Sequence, residues 1–155
     1  MRVALQLAEE AYAAGEIPVG AVAVYEDEII ASARNEKELH QDATAHAEML
    51  VMQRAARHLR HWRLEGVSLY CTMEPCPMCA GAMINTRIKR LIYGARDDKA
   101  GSAGSAIDLV RYPGLNHQVE VTPGVLKEEC AQLLSKFFID MRRDGRVGRK
   151  LESKP

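Results

Sequence analysis

Apolar side chains at Val3, Leu7, Ala8, Ala11 and Ala14 recur at helical spacing, and Gly15 follows where a helix end favours a left-handed residue. The chain is therefore predicted to open with a helix over 3–14. The next two apolar runs, IPVGAVAVY (17–25) and EIIASA (28–33), are β-type stretches parted by Glu26 and Asp27, the pattern of a hairpin. A polar loop over 35–44 follows. Thr44 is a good N-cap for a helix over 45–59. VSLYCT (67–72) reads as a strand feeding into Glu74, Pro75 and Cys76, with Pro75 suited to the first turn of the next helix. A strand RLIYG (90–94), a loop over 95–106 rich in Gly, Ser and Ala, a short helical piece over 107–112, a strand QVEVT (118–122) and a long helix over 124–143 complete the series. No internal repeat is visible.

Strands alternating with helices require right-handed crossovers and a parallel half-sheet, to which the first hairpin adds an antiparallel edge. The class is α/β, with helices on both faces of a mixed sheet. At 155 residues, the chain has length for one sizeable core, so residues 1–155 are read as a single domain. Hydrophobic residues at 47% and charged residues at 27% belong to a globular chain rather than a disordered or fibrous one. The longest apolar run, 17–25, falls short of the ~20 residues that cross a bilayer, and Glu9 and Glu10 spoil the N-terminus as a secretory signal. A soluble, cytoplasmic protein without a membrane partner is expected.

The formal net charge is zero, yet basic side chains gather at the end: Lys136, Arg142, Arg143, Arg146, Arg149, Lys150 and Lys154 face only Asp140, Asp144 and Glu152. The tail over 144–155 is either a phosphate-contacting arm or a solubilising segment. Four cysteines without a secretion signal suggest metal ligands or core residues rather than a disulfide framework. Cys76 and Cys79, at i and i+3 on one helix, can reach one ion. A CxxC at a helix start after a strand equally suits a redox pair, whose thiol the helix dipole would acidify.

The segment HAE at 46–48 shifts that balance. His46 also sits at a helix start, and if the two helix N-termini converge, one imidazole and two thiolates make three ligands. Three protein ligands leave a tetrahedral zinc ion open to water, the arrangement of a catalytic rather than a structural site. Glu48, near the metal but not bound to it, is placed to move protons; taken alone it would be a carboxylate favoured by a helix N-terminus. Cys71, in a strand, and Cys130, in a helical apolar stripe, read as core residues.

HxE followed by PCxxC is the signature of zinc nucleobase deaminases. With PVGAV (18–22), TAHAEM (44–49), EPCPMCAGAM (74–83), YGARD (93–97), NHQVEV (116–121) and LLSKFF (133–138), the chain closely resembles the bacterial tRNA adenosine deaminases of the TadA type. The resemblance implies the cytidine deaminase-like fold, a three-layer α/β/α sandwich around a mixed five-stranded sheet. It implies one zinc ion per chain held by His46, Cys76 and Cys79, with no organic cofactor. It also implies conversion of adenosine to inosine at the wobble position of a tRNA anticodon, within a homodimer.

By the same resemblance Glu48 is the proton carrier and Asn35 hydrogen-bonds the flipped nucleotide. Val19, Ala47 and Met73 would supply apolar walls for a splayed base. Asp97, Asp98 and Lys99, together with Phe138, Arg142 and Arg143, would surround the anticodon loop, Phe138 by stacking and the arginines through phosphates. Only one of Phe137 and Phe138 can face RNA on an amphipathic helix. The run FFIDMRR carries one residue more between its Phe and Arg pairs than the family pattern. AGAMI (80–84) is either an interface strip or core. Three competing readings stand beside this one: a deaminase of free guanine, cytosine or cytidine; a catalytically silent zinc scaffold; and a redox protein with a reversible Cys76–Cys79 disulfide.

Overall fold

A computed structural model describes residues 1–145. The chain runs through α1 (Arg2–Ala13), β1 (Gly20–Tyr25), β2 (Glu28–Arg34), α2 (Lys37–His40), α3 (Ala47–Leu59), β3 (Ser68–Met73), α4 (Pro77–Asn85), β4 (Arg90–Ala95), β5 (Glu120–Thr122) and α5 (Lys127–Arg143). The five strands form one sheet in the order β2-β1-β3-β4-β5. β1 is antiparallel to both β2 and β3, whereas β3, β4 and β5 are parallel. This is the expected mixed sheet. The tail assigned to 144–155 lies outside the described residues beyond Gly145.

α1 and α5 touch each other on one face of the sheet, and α3 lies against β1 and β2 with α4 beside it. Small residues allow the close approach on the first face. α1 buries Ala4, Ala8 and Ala11 at helical spacing. A Cβ at Gly20 would lie 2.0 Å from the Ala4 carbonyl oxygen, so the α1 backbone rests directly on β1. Gly94 receives α5 in the same way: a Cβ there would lie 2.5 Å from Cys130 Sγ. The core between the layers gathers Ala21, Ala23, Val51, Ala55, Leu69 and Leu91, all but inaccessible to solvent.

Four local expectations need correction. The 35–44 loop contains the single turn α2, because the buried Glu16 carboxylate, in the segment between α1 and β1, accepts the N–H groups of Glu38 and Leu39, at 3.1 and 2.7 Å. Thr44 does not cap α3; its N–H and hydroxyl both bond Asp42 Oδ1 at 2.8 and 2.7 Å, and His46 takes the cap position. Pro75 precedes α4, and Pro77 occupies its first turn. The 107–112 stretch is not helical: Leu109 N–H bonds Ser102 O at 3.0 Å and Gly104 N–H bonds Ile107 O at 2.9 Å, so its polar groups pair across the loop. Cys71 and Cys130 are buried, as expected of core residues. Within AGAMI, Ala80, Met83 and Ile84 are buried in the protomer, leaving Gly81 and Ala82 half-accessible.

No helix among the described residues is long and apolar enough to cross a membrane.

Candidate metal centre and substrate cavity

The sheet register collects the site at one end. Gly20, opening β1, pairs with Arg34 at the end of β2, and Ala21 pairs with Cys71 near the end of β3. Met73, closing β3, lies beside Ala95 at the end of β4. Val19, Asn35, Met73 and Asp97 therefore emerge together, where α3 and α4 also begin. His46 and Cys76 are the N-cap residues of those helices, and neither helix has a side-chain cap bond. Serine, threonine, aspartate or asparagine normally fills such a position and bonds the first turn. Here both positions hold residues whose side chains turn toward each other instead.

His46 Nδ1 lies 3.6 Å from Cys76 Sγ and 3.5 Å from Cys79 Sγ. Zinc–sulfur and zinc–nitrogen bonds of about 2.3 and 2.0–2.1 Å, set at the tetrahedral angle, place the two donor atoms about 3.6 Å apart. The donor set thus fits a tetrahedral ion, and the three donor atoms all lie within 4.8 Å of one another. Its charge also suits a cation. The hydrogen bond from the Cys79 thiol draws the Cys76 thiol down to about 4, assisted by His46. Giving that hydrogen bond raises Cys79, as do its burial and the Glu48 charge, and the bond to Cys76 raises the His46 imidazole.

Glu48 sits on the first turn of α3 and is only 4% exposed. Burial pushes its carboxyl up to about 7, against the pull of its own amide and of the His46 imidazole. A carboxyl near neutrality both accepts and returns a proton at physiological pH.

These groups open into a cavity of about 250 Å³. Of the residues singled out in the sequence, it brings together Val19, Asn35, His46, Ala47, Glu48, Met73, Cys76, Asp97 and Phe138. Cys79 does not line the cavity; it sits behind His46, its Sγ 3.5 Å from His46 Nδ1. Asn35 is 4% exposed; its Nδ2 donates to Ile17 O at 3.3 Å, while its Oδ1 is buried without a hydrogen-bond partner. Asp98 and Lys99 do not line the cavity; Asp98 pairs with Arg96, and Lys99 presents its N–H to Asp97 Oδ1 at 3.0 Å. Arg142 and Arg143 lie further along α5, exposed to solvent. Arg143 pairs with Asp140 and Asp144 at 3.5 and 3.6 Å, whereas Arg142 Nε bonds Phe138 O at 3.2 Å and so lies on the Phe138 side of the helix.

The sequence reading missed Ile17, Lys37, Glu74 and Ala100 as lining residues. Glu74 had a local signal, a carboxylate placed two residues before a candidate ligand at the end of a strand. Ile17, Lys37 and Ala100 had none.

Residues 1–142 match the MafB19-like deaminase family. The tRNA-specific adenosine deaminase of Bacillus subtilis (strain 168) is 47% identical over 97% of this chain and 93% of its own length. That of Haemophilus influenzae is 46% identical over 97% of this chain and 88% of its own. A solved structure from a study of A-to-I editing by tRNA:A34 deaminases at the wobble position superposes with a TM-score of 0.84 at 40% identity, over 86% of this chain and 97% of that one. A three-ligand centre beside a buried carboxyl, on a deaminase sheet shared at this identity over nearly full length, has one consequence: the chain belongs to the tRNA-specific adenosine deaminase family.

Proposed function

We propose that the protein converts adenosine to inosine at the wobble position of a tRNA anticodon. The observation that carries this reading is the meeting of His46 Nδ1 with both sulfurs beside a buried glutamate in one cavity. Residues 1–155 are read as one deaminase domain, acting in the cytoplasm as a homodimer with one metal site per chain. His46, Cys76 and Cys79 would hold a zinc ion. Zinc supplies Lewis acidity there, making water nucleophilic near neutral pH.

The remaining work falls to this chain's side chains. Water adds to C6 of the adenine while Glu48 takes one of its protons and delivers it to N1. Glu48 then carries the second proton to the exocyclic nitrogen, the C6–N6 bond breaks, and ammonia leaves. Adenosine and water give inosine and ammonia, with no change of oxidation state. The orphaned Oδ1 of Asn35 accepts a hydrogen bond from the substrate, which supplies the partner this buried oxygen lacks. Val19, Ala47, Met73 and Phe138 grip a base that has left its stack, and Asp97 stands at the rim. Arg142, on the Phe138 side of α5, meets phosphate.

An anticodon stem-loop containing ACG, incubated with the zinc-loaded protein, should yield inosine at the adenosine on nucleoside analysis. Turnover confined to free guanine, cytosine or cytidine would reject the reading in favour of a small-molecule deaminase. Light scattering on the eluting protein tests the dimer.

A further inference from the structure

The loop between Ala95 and Ala106 carries no helix or strand, yet it forms a wall of the cavity through Asp97 and Ala100. Backbone bonds fix part of its shape, Gly101 N–H to Asp97 O at 2.9 Å and Ser102 N–H to Pro75 O at 2.8 Å, and leave the Asp97, Ala103 and Ser105 amides to a side chain. Glu74 is that side chain. This carboxylate is 2% exposed and stands between the end of β3 and the ligand Cys76. Its Oε2 accepts the Asp97 N–H at 3.0 Å and the Ser105 hydroxyl. Its Oε1 accepts the N–H groups of Ala103 at 3.1 Å and Ser105 at 3.0 Å. Four donors from both ends of one loop converge on a single side chain.

The packing leaves no slack around it. A Cβ at Gly101 would lie 2.3 Å from Glu74 Oε2 and 2.3 Å from the Asp97 carbonyl, so the middle of the loop is pressed onto the carboxylate. Asp97 is then locked from its own side, since its Oδ1 accepts the N–H groups of Lys99 and Ala100 at 3.0 and 3.2 Å. With both oxygens of Glu74 occupied, the group has no lone pair to spare for proton transfer. Charge-assisted bonds of this kind are roughly twice as strong as neutral ones, and buried networks of them hold a single geometry.

We propose that Glu74 is a positioning residue of the substrate site, its carboxylate holding the Asp97–Ser105 loop as the wall against which the nucleotide rests. The inference depends on the reading of the cavity as a nucleotide site. Glu74 links that wall to the strand end that delivers Cys76, so the grip on the substrate and the metal ligands share one anchor.

The test is Glu74→Gln, which keeps the shape but turns an amide NH2 toward N–H donors. KM for the ACG stem-loop should rise about tenfold, the loss expected for one charge-assisted hydrogen bond. The value of kcat should stay within about threefold, because the reacting atoms are not touched. Zinc content should match the parent protein, and trypsin should cut faster after Arg96 and Lys99. Gly101→Ala, which presses on the same carboxylate from the loop side, should reproduce this signature, and Ser105→Ala should give a weaker version. A fall in kcat together with zinc content would overturn the proposal by making Glu74 a support of the metal strand. Unchanged KM with unchanged proteolysis would overturn it outright. If the parent protein leaves the stem-loop untouched, the nucleotide-site reading fails, while the proteolysis still reports on whether Glu74 holds the loop.

Discussion

Phe137 and Phe138 are neighbours on α5 whose rings stand 5.6 Å apart at 76°, yet they serve different surroundings. Phe137 is 5% exposed and meets the Tyr12 ring edge-on at 5.7 Å, joining α5 to α1. Phe138 is 40% exposed and lines the substrate cavity. Phe137→Ala should therefore cost about 3–5 kcal/mol of stability in urea denaturation, the range for a buried aromatic. Phe138→Ala should leave the denaturation midpoint nearly in place and weaken stem-loop binding by about 1–3 kcal/mol, the range for a lost base–aromatic stack.

Asn35 holds its backbone and side-chain amide to the segment before β1, through Val19 O at 3.0 Å and Ile17 O at 3.3 Å, while its Oδ1 faces nothing. Asn35→Asp removes the donor to Ile17 and brings a charge into the cavity. It should lower kcat/KM for the stem-loop by about 100-fold, in line with a buried polar contact that becomes mismatched. Comparable kcat/KM in steady-state assays would show that the substrate does not use this side chain.

The two arginines near the end of α5 should not behave alike. Arg143 is occupied by Asp140 and Asp144, and Asp140 also receives the Tyr12 hydroxyl. Arg142 lies on the Phe138 side. Arg142→Ala should reduce the slope of log affinity against log salt by about one, as loss of one phosphate contact does, and Arg143→Ala should change it less.

Gly20 tests the packing of α1. With the Ala4 carbonyl and the Ala8 amide in the space a methyl would need, Gly20→Ala has to push α1 off β1. Overpacking of this kind costs about 1–3 kcal/mol, and more when backbone must move, so the denaturation midpoint should fall clearly while zinc binding persists.

The meeting of His46, Cys76 and Cys79 was legible in the sequence because its origin is local: His46 and Glu48 share one helix start, Cys76 and Cys79 another, and the strand between the helices brings the starts together. The first four strands were legible because their apolar runs stand out from the polar segments beside them. Missed features depend on partners distant in sequence. α2 exists because Glu16 supplies what its first turn lacks, so a polar stretch reads as loop until that contact is seen. The 107–112 stretch reads as a short helical piece, but Gly101, Ser102 and Gly104 fold back on it and take its hydrogen bonds. Lys37 and Ala100 reach the cavity only because such irregular segments are held in place. Thr44 shows the converse: a sound capping residue was outbid by the nearer Asp42, leaving the helix start to His46.

The proposed function rests on zinc at the His46, Cys76 and Cys79 cluster and on proton transfer by the neighbouring Glu48. Zinc content and inosine formation on the ACG stem-loop, measured together for the parent protein and for Glu48→Gln, test it most directly. Close to one zinc per chain is expected in both proteins, with inosine from the parent alone. Inosine produced by Glu48→Gln at the parent rate, or a parent protein that carries no zinc and forms a Cys76–Cys79 disulfide, would contradict it.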